Sequence, residues 1–275
     1  MPAAVKERLA ISHYFEIENI GHQADSRVIQ SLFGGCTLVT EPLIHLAERL
    51  PAAIERCREG GEEEKEREGG HVCGYTVDET KGPAFIHRTA TVFPAAHIEG
   101  PCYIGPNATV GHAAYVRSNT AMCENAIVGH SSECKHSILL PHAHAPHFNY
   151  VGDSIIGWRV NLGAGTKLSN LPMMSLEDIN TQQQQHKTPA DVRTVKIRIK
   201  PSPGEDCDYV FDTSLVKMGA VLGDGVQTGC NVVCNPGVCV GRGTLVYGGV
   251  CLRGGYYAPR QIVKLRQEIE ISQRW

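Results

Sequence analysis

The sequence predicts an all-β main domain, a parallel β-helix built from hexapeptide repeats, with an N-terminal helical cap, a strand-containing insertion and a C-terminal helix. Three observations carry this. Ile86, Val92, Ile98, Ile104, Val110, Val116, Met122, Val128 and Cys134 stand six residues apart without a slip. Ala90, Ala96, Cys102, Ala108, Ala114, Thr120, Ala126 and Ser132 keep the same beat four residues further on. After five-residue resets the beat continues through Leu139, Ala145, Val151, Ile156, Leu162 and Leu168, breaks at Leu171, and resumes from Val210 and Val216 to Leu252. A period of six suits neither an amphipathic helix nor an alternating strand. It is the period of a triangular solenoid in which each repeat is one short strand and a corner, and three repeats make one coil. Residues about 18 apart then stack at roughly 4.8 Å, and the two blocks make roughly eight coils.

Residues 1–82 read as the helical cap and a charged linker. Thr40, Glu41 and Pro42 form a helix start followed by the apolar stripe Leu43, Ile44, Ala47 and Leu50, and Pro51 is expected to open a second short helix through Ile54 and Cys57. Glu59 to Gly70 is charged and glycine-flanked, the composition of a solvated linker. Residues 83–258 hold the β-helix, interrupted at 172–209, where Val195, Ile197 and Ile199 alternate as in a strand. In 259–275, Pro259 precedes Ile262, Leu265 and Ile269, the spacing expected of a terminal helix covering the last coil.

The chain has 275 residues, 42% of them hydrophobic, with 26 basic against 29 acidic residues and a net charge of −3. That balance offers no electrostatic footprint for nucleic acid. No signal peptide and no run of 18 or more apolar residues is present, so a soluble, cytoplasmic protein is expected, with no membrane partner. Of eleven cysteines, Cys102, Cys134 and Cys234 fall in core slots of the repeat, where Cys serves as a small hydrophobe, so reduced thiols are expected.

Between Arg117 and Leu171 the outward positions change character. Arg117 and Lys135 each follow an inward residue and lie 18 apart, so they should stack on adjacent coils as a site for a phosphate. His147, Asn149 and Tyr150 are followed by Asn161, the Gly163-Ala164-Gly165 corner and Asn170, a setting in which backbone can approach a ligand closely.

This stretch resembles the acetyltransferase domain of bifunctional glucosamine-1-phosphate N-acetyltransferase/UDP-N-acetylglucosamine pyrophosphorylase and its short sugar-nucleotidyltransferase-like relatives. The specific match runs without a gap from Arg117 to Asn170, and the flanking hexapeptides match only as generic repeats. The resemblance implies a left-handed β-helix, acetyl-CoA as co-substrate with no metal required for acetyl transfer, a homotrimer, and an amino sugar phosphate or nucleotide sugar as ligand in UDP-N-acetylglucosamine biosynthesis. It further implies that His147 is the general base, with Glu133 helping to orient it. Arg117, Lys135, Tyr150 and Asn161 would bind the sugar phosphate, and Ala164, Asn170, Leu171, Cys230 and Gly248 would line acetyl-CoA. A neutral imidazole is the appropriate group to take the proton an amino sugar must lose before attacking a thioester.

Two departures matter. The family's lysine six residues after Asn170 is Leu176 here, so Lys196, Arg198 or Lys200 of the insertion is expected to replace that cation, while Lys167 could do so only if it faces the site. Nothing before residue 80 resembles a glycine-rich nucleotide-binding start, and about 80 residues are too few for a pyrophosphorylase domain. The alternatives are a non-catalytic sugar-nucleotide-binding or assembly subunit, a lipid A type O-acyltransferase, and a gamma-carbonic-anhydrase-like metal enzyme. The last rests on His142 and His147, five residues apart.

Overall fold

The computed structural model describes residues 1–20, 25–62, 64–65, 71–72, 74–173, 193–201 and 208–274. Three parallel sheets form the faces of a prism, each with eight stacked parallel strands. The first face runs from Tyr75–Asp78 through Glu133–Lys135, Tyr150–Gly152 and Lys167–Leu168 to Cys251–Leu252. The second runs from Thr91–Val92 through Ile127–His130, His144–His147 and Asn161–Leu162 to Ile262–Val263. The third runs from Ala84–Ile86 through Ser137–Leu139 and Ile155–Ile156 to Gly255–Tyr257. Partners lie eighteen residues apart at Ala84↔Cys102 and seventeen apart at Ile127↔His144, as the five-residue resets require. The prism starts earlier than residue 83, because Tyr75–Asp78 already pairs with His97–Glu99.

The corners are columns of left-handed backbone. Ala95, Ala113, Ser131, Phe148, Gly165, Asn231 and Gly249 have positive φ and stack between the second and first faces. Asn107, Asn125, His142, Arg159, Gly225, Gly243 and Arg260 do the same between the third and second. The sixfold ladder fills the interior, including Cys102, Cys134 and Cys234, all fully buried. The nine described cysteines are free thiols. The architecture is a parallel β-solenoid consistent with the left-handed form of this fold.

The third face has a second, outward core. Phe85, Tyr103, Ala121, Ile138, Ile155, Val221 and Cys239, each directly before the inward residue of its strand, point away from the prism interior and are nonetheless fully buried. The N-terminal segment covers them. Its helices include Ala3–Arg8, Ser26–Phe33 and Glu41–Glu59, and they lie along this flank rather than over the prism's first coil. Pro51 does not open a second helix. It sits inside the single helix Glu41–Glu59, whose Leu46, Leu50, Ala53 and Ile54 pack onto the flank. That burial offsets the hydrogen bond the proline removes.

In the linker, Glu64 is tied to helix Glu41–Glu59 by Arg58 at 3.0 Å, and Lys65 to the first coil by Lys65 N to Ile86 O at 2.7 Å; residues 63 and 66–70 lie outside the described residues. In the insertion, Lys196–Ile199 pairs antiparallel with Tyr209–Asp212, and Val195, Ile197 and Ile199 are buried on the third-face flank. Val210 and Val216 are not ladder residues, being 52% and 41% exposed; the ladder resumes in Ala220–Leu222. The register shows why they mimic it. Ile155 pairs with Val221 across 66 residues, one eighteen-residue coil plus 48, and 48 is a multiple of six.

The expected C-terminal helix does not form. Ile262–Val263 continues the second face by pairing with Leu245–Val246 seventeen residues earlier, and residues 264–274 have no regular structure, with Ile269 76% exposed. The spacing of Ile262, Leu265 and Ile269 fits a helix by coincidence, whereas an open sheet edge offers unpaired backbone groups to the next segment. Among the described residues no helix is long and apolar enough to cross a membrane.

Candidate active site

The predicted residues gather at the corner between the second and first faces and across the first face. Glu133 aligns with Tyr115 on one side and Tyr150 on the other, and Tyr150 aligns with Lys167, giving one outward column. Arg117 and Lys135 form the neighbouring column, Arg117 N donating to Cys134 O at 2.8 Å. The stack expected from their spacing is present, and each cation has a carboxylate partner. Arg117 Nη1 lies 2.8 Å from Glu133 Oε1, and Lys135 Nζ lies 3.5 Å from Asp153 Oδ2.

Asp153 and Asn170 are both buried, and the Asn170 amide donates to the Asp153 carboxylate. Tyr150 folds over Gly152, where an added Cβ would meet Tyr150 Oη at 2.7 Å and Asn170 Nδ2 at 2.8 Å. Burial, reinforced by the Glu133 and Asp153 carboxylates, raises the Tyr150 phenol above its ordinary range, so it acts as a neutral hydroxyl.

His147 ends the strand His144–His147 with its side chain exposed. Its backbone is pinned by buried Asn149, whose Oδ1 accepts from His147 N at 3.0 Å and whose Nδ2 donates to Gly163 O at 2.8 Å. Glu133 bonds Arg117, and no hydrogen bond joins the His147 ring to any described residue. His130 pairs with His147 in register, and the His130 ring stands between His112, stacked at 5.8 Å, and Phe148, edge-on at 5.2 Å. Toward the C-terminal coils the same column turns small: Ala164, Cys230 and Gly248 follow His147. The ladder bonds Gly165 N to His147 O, Asn231 N to Ala164 O and Gly249 N to Cys230 O, at 3.0, 2.8 and 2.9 Å, mark the column.

The expected acetyl-CoA set therefore divides. Ala164, Cys230 and Gly248 share the His147 column, whereas Asn170 and Leu171 lie at the far edge of the first face beside Asp153. Asn161 is separated too, because it pairs with His144 at the opposite end of the second-face strand. Lys196, Arg198 and Lys200 lie away from the cluster. Lys196 is paired with Asp212, while Arg198 and Lys200 line a pocket at the C-terminal end of the prism with Arg253 and Lys264. Leu176 lies outside the described residues.

His142 occupies the corner between the third and second faces, so five extended residues, roughly 16 Å, separate it from His147. The two cannot meet at one metal within a chain, and among the described residues no three His, Cys, Asp or Glu side chains form a metal-binding group.

Asp153, Asn149 and Gly152 belong to the site without a motif in the sequence that marks them. Asp153 was legible only as a polar residue after Tyr150-Val151-Gly152, since nothing in a six-residue beat shows that it closes on the Lys135 ammonium one coil away.

A family model described as the GMPPB C-terminal domain matches residues 98–188. The bifunctional protein GlmU of Methanococcus maripaludis strain C7 is 35% identical over 144 residues, 52% of this chain and 29% of that protein. That of Methanocaldococcus jannaschii is 38% identical over 122 residues, 44% and 24% of the two chains. The bifunctional sugar-1-phosphate nucleotidylyltransferase/acetyltransferase of Sulfurisphaera tokodaii is 33% identical over 119 residues, 43% and 24% of the two chains. Among solved structures, a mutant of AntD, an N-acyltransferase from Bacillus cereus, in complex with dTDP and coenzyme A, is 13% identical with a TM-score of 0.20, covering 72% of this chain and 84% of that one. The matched region spans less than a third of the length of the curated relatives. Over 43–52% of its length, the chain is similar to bifunctional GlmU proteins and a bifunctional sugar-1-phosphate nucleotidylyltransferase/acetyltransferase.

Proposed function

We propose that the chain is an acetyl-CoA-dependent N-acetyltransferase acting on an amino sugar 1-phosphate, with His147 as general base. One observation carries the reading: the column of small residues Ala164, Cys230 and Gly248 ends at His147, and the Arg117–Lys135–Tyr150 cluster begins on the other side of the same corner. An extended thioester in the small-residue column and a phosphorylated sugar on the first face would then meet at the imidazole.

His147 takes a proton from the sugar amine as nitrogen attacks the acetyl carbonyl. The new C–N bond forms, the C–S bond breaks, and CoA leaves as a thiolate that gains a proton. Arg117 and Lys135 exchange their carboxylate partners for the sugar phosphate and so position the amine, an orientation effect that can contribute several kcal/mol. Tyr150 supplies a neutral hydroxyl for the sugar. Nucleotidyl transfer is not part of the proposal, because the curated relatives are matched over less than a third of their length.

The exposed apolar side chains outside the covered third face support a threefold assembly. Phe93, Phe148, Tyr247 and Leu265 follow the corner that carries His147, so a neighbouring copy would pack beside the site.

A second reading, a non-catalytic sugar-nucleotide-binding subunit, has one observation in its favour: Glu133 and Asp153 already neutralise both predicted phosphate cations. Thiol release from acetyl-CoA, measured against a panel of amino sugar 1-phosphates, separates the two. Release that depends on the sugar phosphate supports the transferase, and sugar-phosphate binding without release supports the subunit.

A further inference from the structure

We infer that Lys167 supplies the cation that anchors the acceptor's phosphate, taking the part that sequence reasoning gave to the insertion; this rests on the acetyltransferase reading of the same site. Three observations converge on it.

The first is position. Lys167 pairs with Tyr150 in the parallel ladder, so its side chain leaves the first face one coil beyond the tyrosine and on the same side. It lines an open groove of about 530 Å³ with Glu133, Phe148, Tyr150, Ser169 and Val233. No described residue of the insertion lines this groove.

The second is charge. Arg117 and Lys135 are matched one-to-one by Glu133 and Asp153, leaving that cluster close to neutral. An incoming dianion must compete with those carboxylates. Lys167 has no carboxylate partner among the described residues, and its ammonium rests on a neutral acceptor, Gly165 O, at 2.7 Å. A phosphate oxygen is a stronger acceptor than a peptide carbonyl, so the ammonium can transfer to it without breaking an ion pair.

The third is aim. Gly165 stands in the corner column directly after Ala164, and its N–H donates to His147 O at 3.0 Å. The Lys167 ammonium is thus drawn back along the first face toward the corner that holds the imidazole. A phosphate between Lys167 and Tyr150 would place the rest of the sugar within the reach of His147. Lys196, Arg198 and Lys200 lack these features, since Lys196 is paired with Asp212 and Arg198 and Lys200 belong to the far end of the prism.

Calorimetric titration of the wild type, Lys167→Met and Lys167→Arg with glucosamine 1-phosphate, inorganic phosphate and acetyl-CoA tests the inference. Lys167 is exposed and outside the core, so Lys167→Met keeps the stem and the fold while removing only the charge. The expected result is at least about tenfold weaker binding of glucosamine 1-phosphate and of inorganic phosphate by Lys167→Met, recovery in Lys167→Arg, and unchanged acetyl-CoA affinity. Equal sugar-phosphate binding by wild type and Lys167→Met would overturn the inference and leave the transferase reading standing. A loss confined to acetyl-CoA would overturn the acceptor assignment by moving the cation to the donor. Lys167-dependent phosphate binding by a wild type that releases no CoA would keep the inference and remove the transferase reading. No binding of either phosphate by the wild type would overturn both.

Discussion

Gly152 has no space for a side chain, and that constraint shapes the site. With Tyr150 Oη and Asn170 Nδ2 within 2.8 Å of where a Cβ would stand, Gly152→Ala must push the tyrosine off the Lys135–Asp153–Asn170 cluster. Gly152→Ala is expected to weaken glucosamine 1-phosphate binding about tenfold or more with acetyl-CoA binding unchanged, read by calorimetry. Arg117→Glu should act on the same ligand and more strongly, because it both removes a cation and repels Glu133. At this scale legibility in the sequence was uneven. Arg117 and Lys135 could be stacked from their spacing, because the residue after an inward position must face outward on a strand. Asp153 and Gly152 could not, since their roles depend on which side chain leans across a coil boundary, and periodicity fixes only the face.

Elements held by buried carboxylates give the flank a pH dependence. Asp25, at the start of helix Ser26–Phe33, is buried, accepts from Tyr103 Oη at 2.7 Å and from Glu124 N, and burial pushes its carboxyl up to about 7. Asp224 accepts from Glu16 N and Trp158 N, both at 2.8 Å, and burial pushes it up to about 6. Both groups hold a proton in the folded chain that the unfolded chain has released, so stability falls as pH rises from about 4 to about 7 and levels off above that. The loss is on the order of a few kcal/mol across the window. Urea unfolding of Asp25→Asn across this range should show a flatter profile than the wild type; an unchanged slope would assign the dependence elsewhere. The flank also makes outward residues of the third face part of a core, so Ile138→Ala should destabilise by about 2–5 kcal/mol despite pointing away from the prism interior. This second core was written in the sequence as apolar triplets, Ala84-Phe85-Ile86 or Ala220-Val221-Leu222, but the two six-residue beats register the outer residues of each triplet and skip the middle one. The same count ran through Val210 and Val216 because the insertion happens to preserve its phase. It yielded to helical spacing at 259–275, where the strand register instead continues.

For the whole molecule, covering the third face with the chain's own N-terminal segment leaves the other two faces and the His147 corner for assembly. Light scattering is expected to return about three times the 29.9 kDa chain mass at micromolar concentration, and Phe148→Asp, which places a charge on an exposed aromatic at that corner, is expected to lower it. A monomeric wild type would exclude sites shared between copies. The sequence made the prism legible because thirty-odd inward positions repeat one rule. The trimer is expected from the family resemblance and not from the repeat, because contacts between faces have no period.

The account depends most on His147 as the proton acceptor. The direct measurement is the rate of CoA release from acetyl-CoA with glucosamine 1-phosphate for wild type, His147→Ala and His142→Ala, with folding checked by circular dichroism. The account predicts a loss of about 10²–10⁴-fold in His147→Ala and little change in His142→Ala, at the opposite end of the same second-face strand. Comparable losses in both variants, or turnover that survives in His147→Ala, would contradict it.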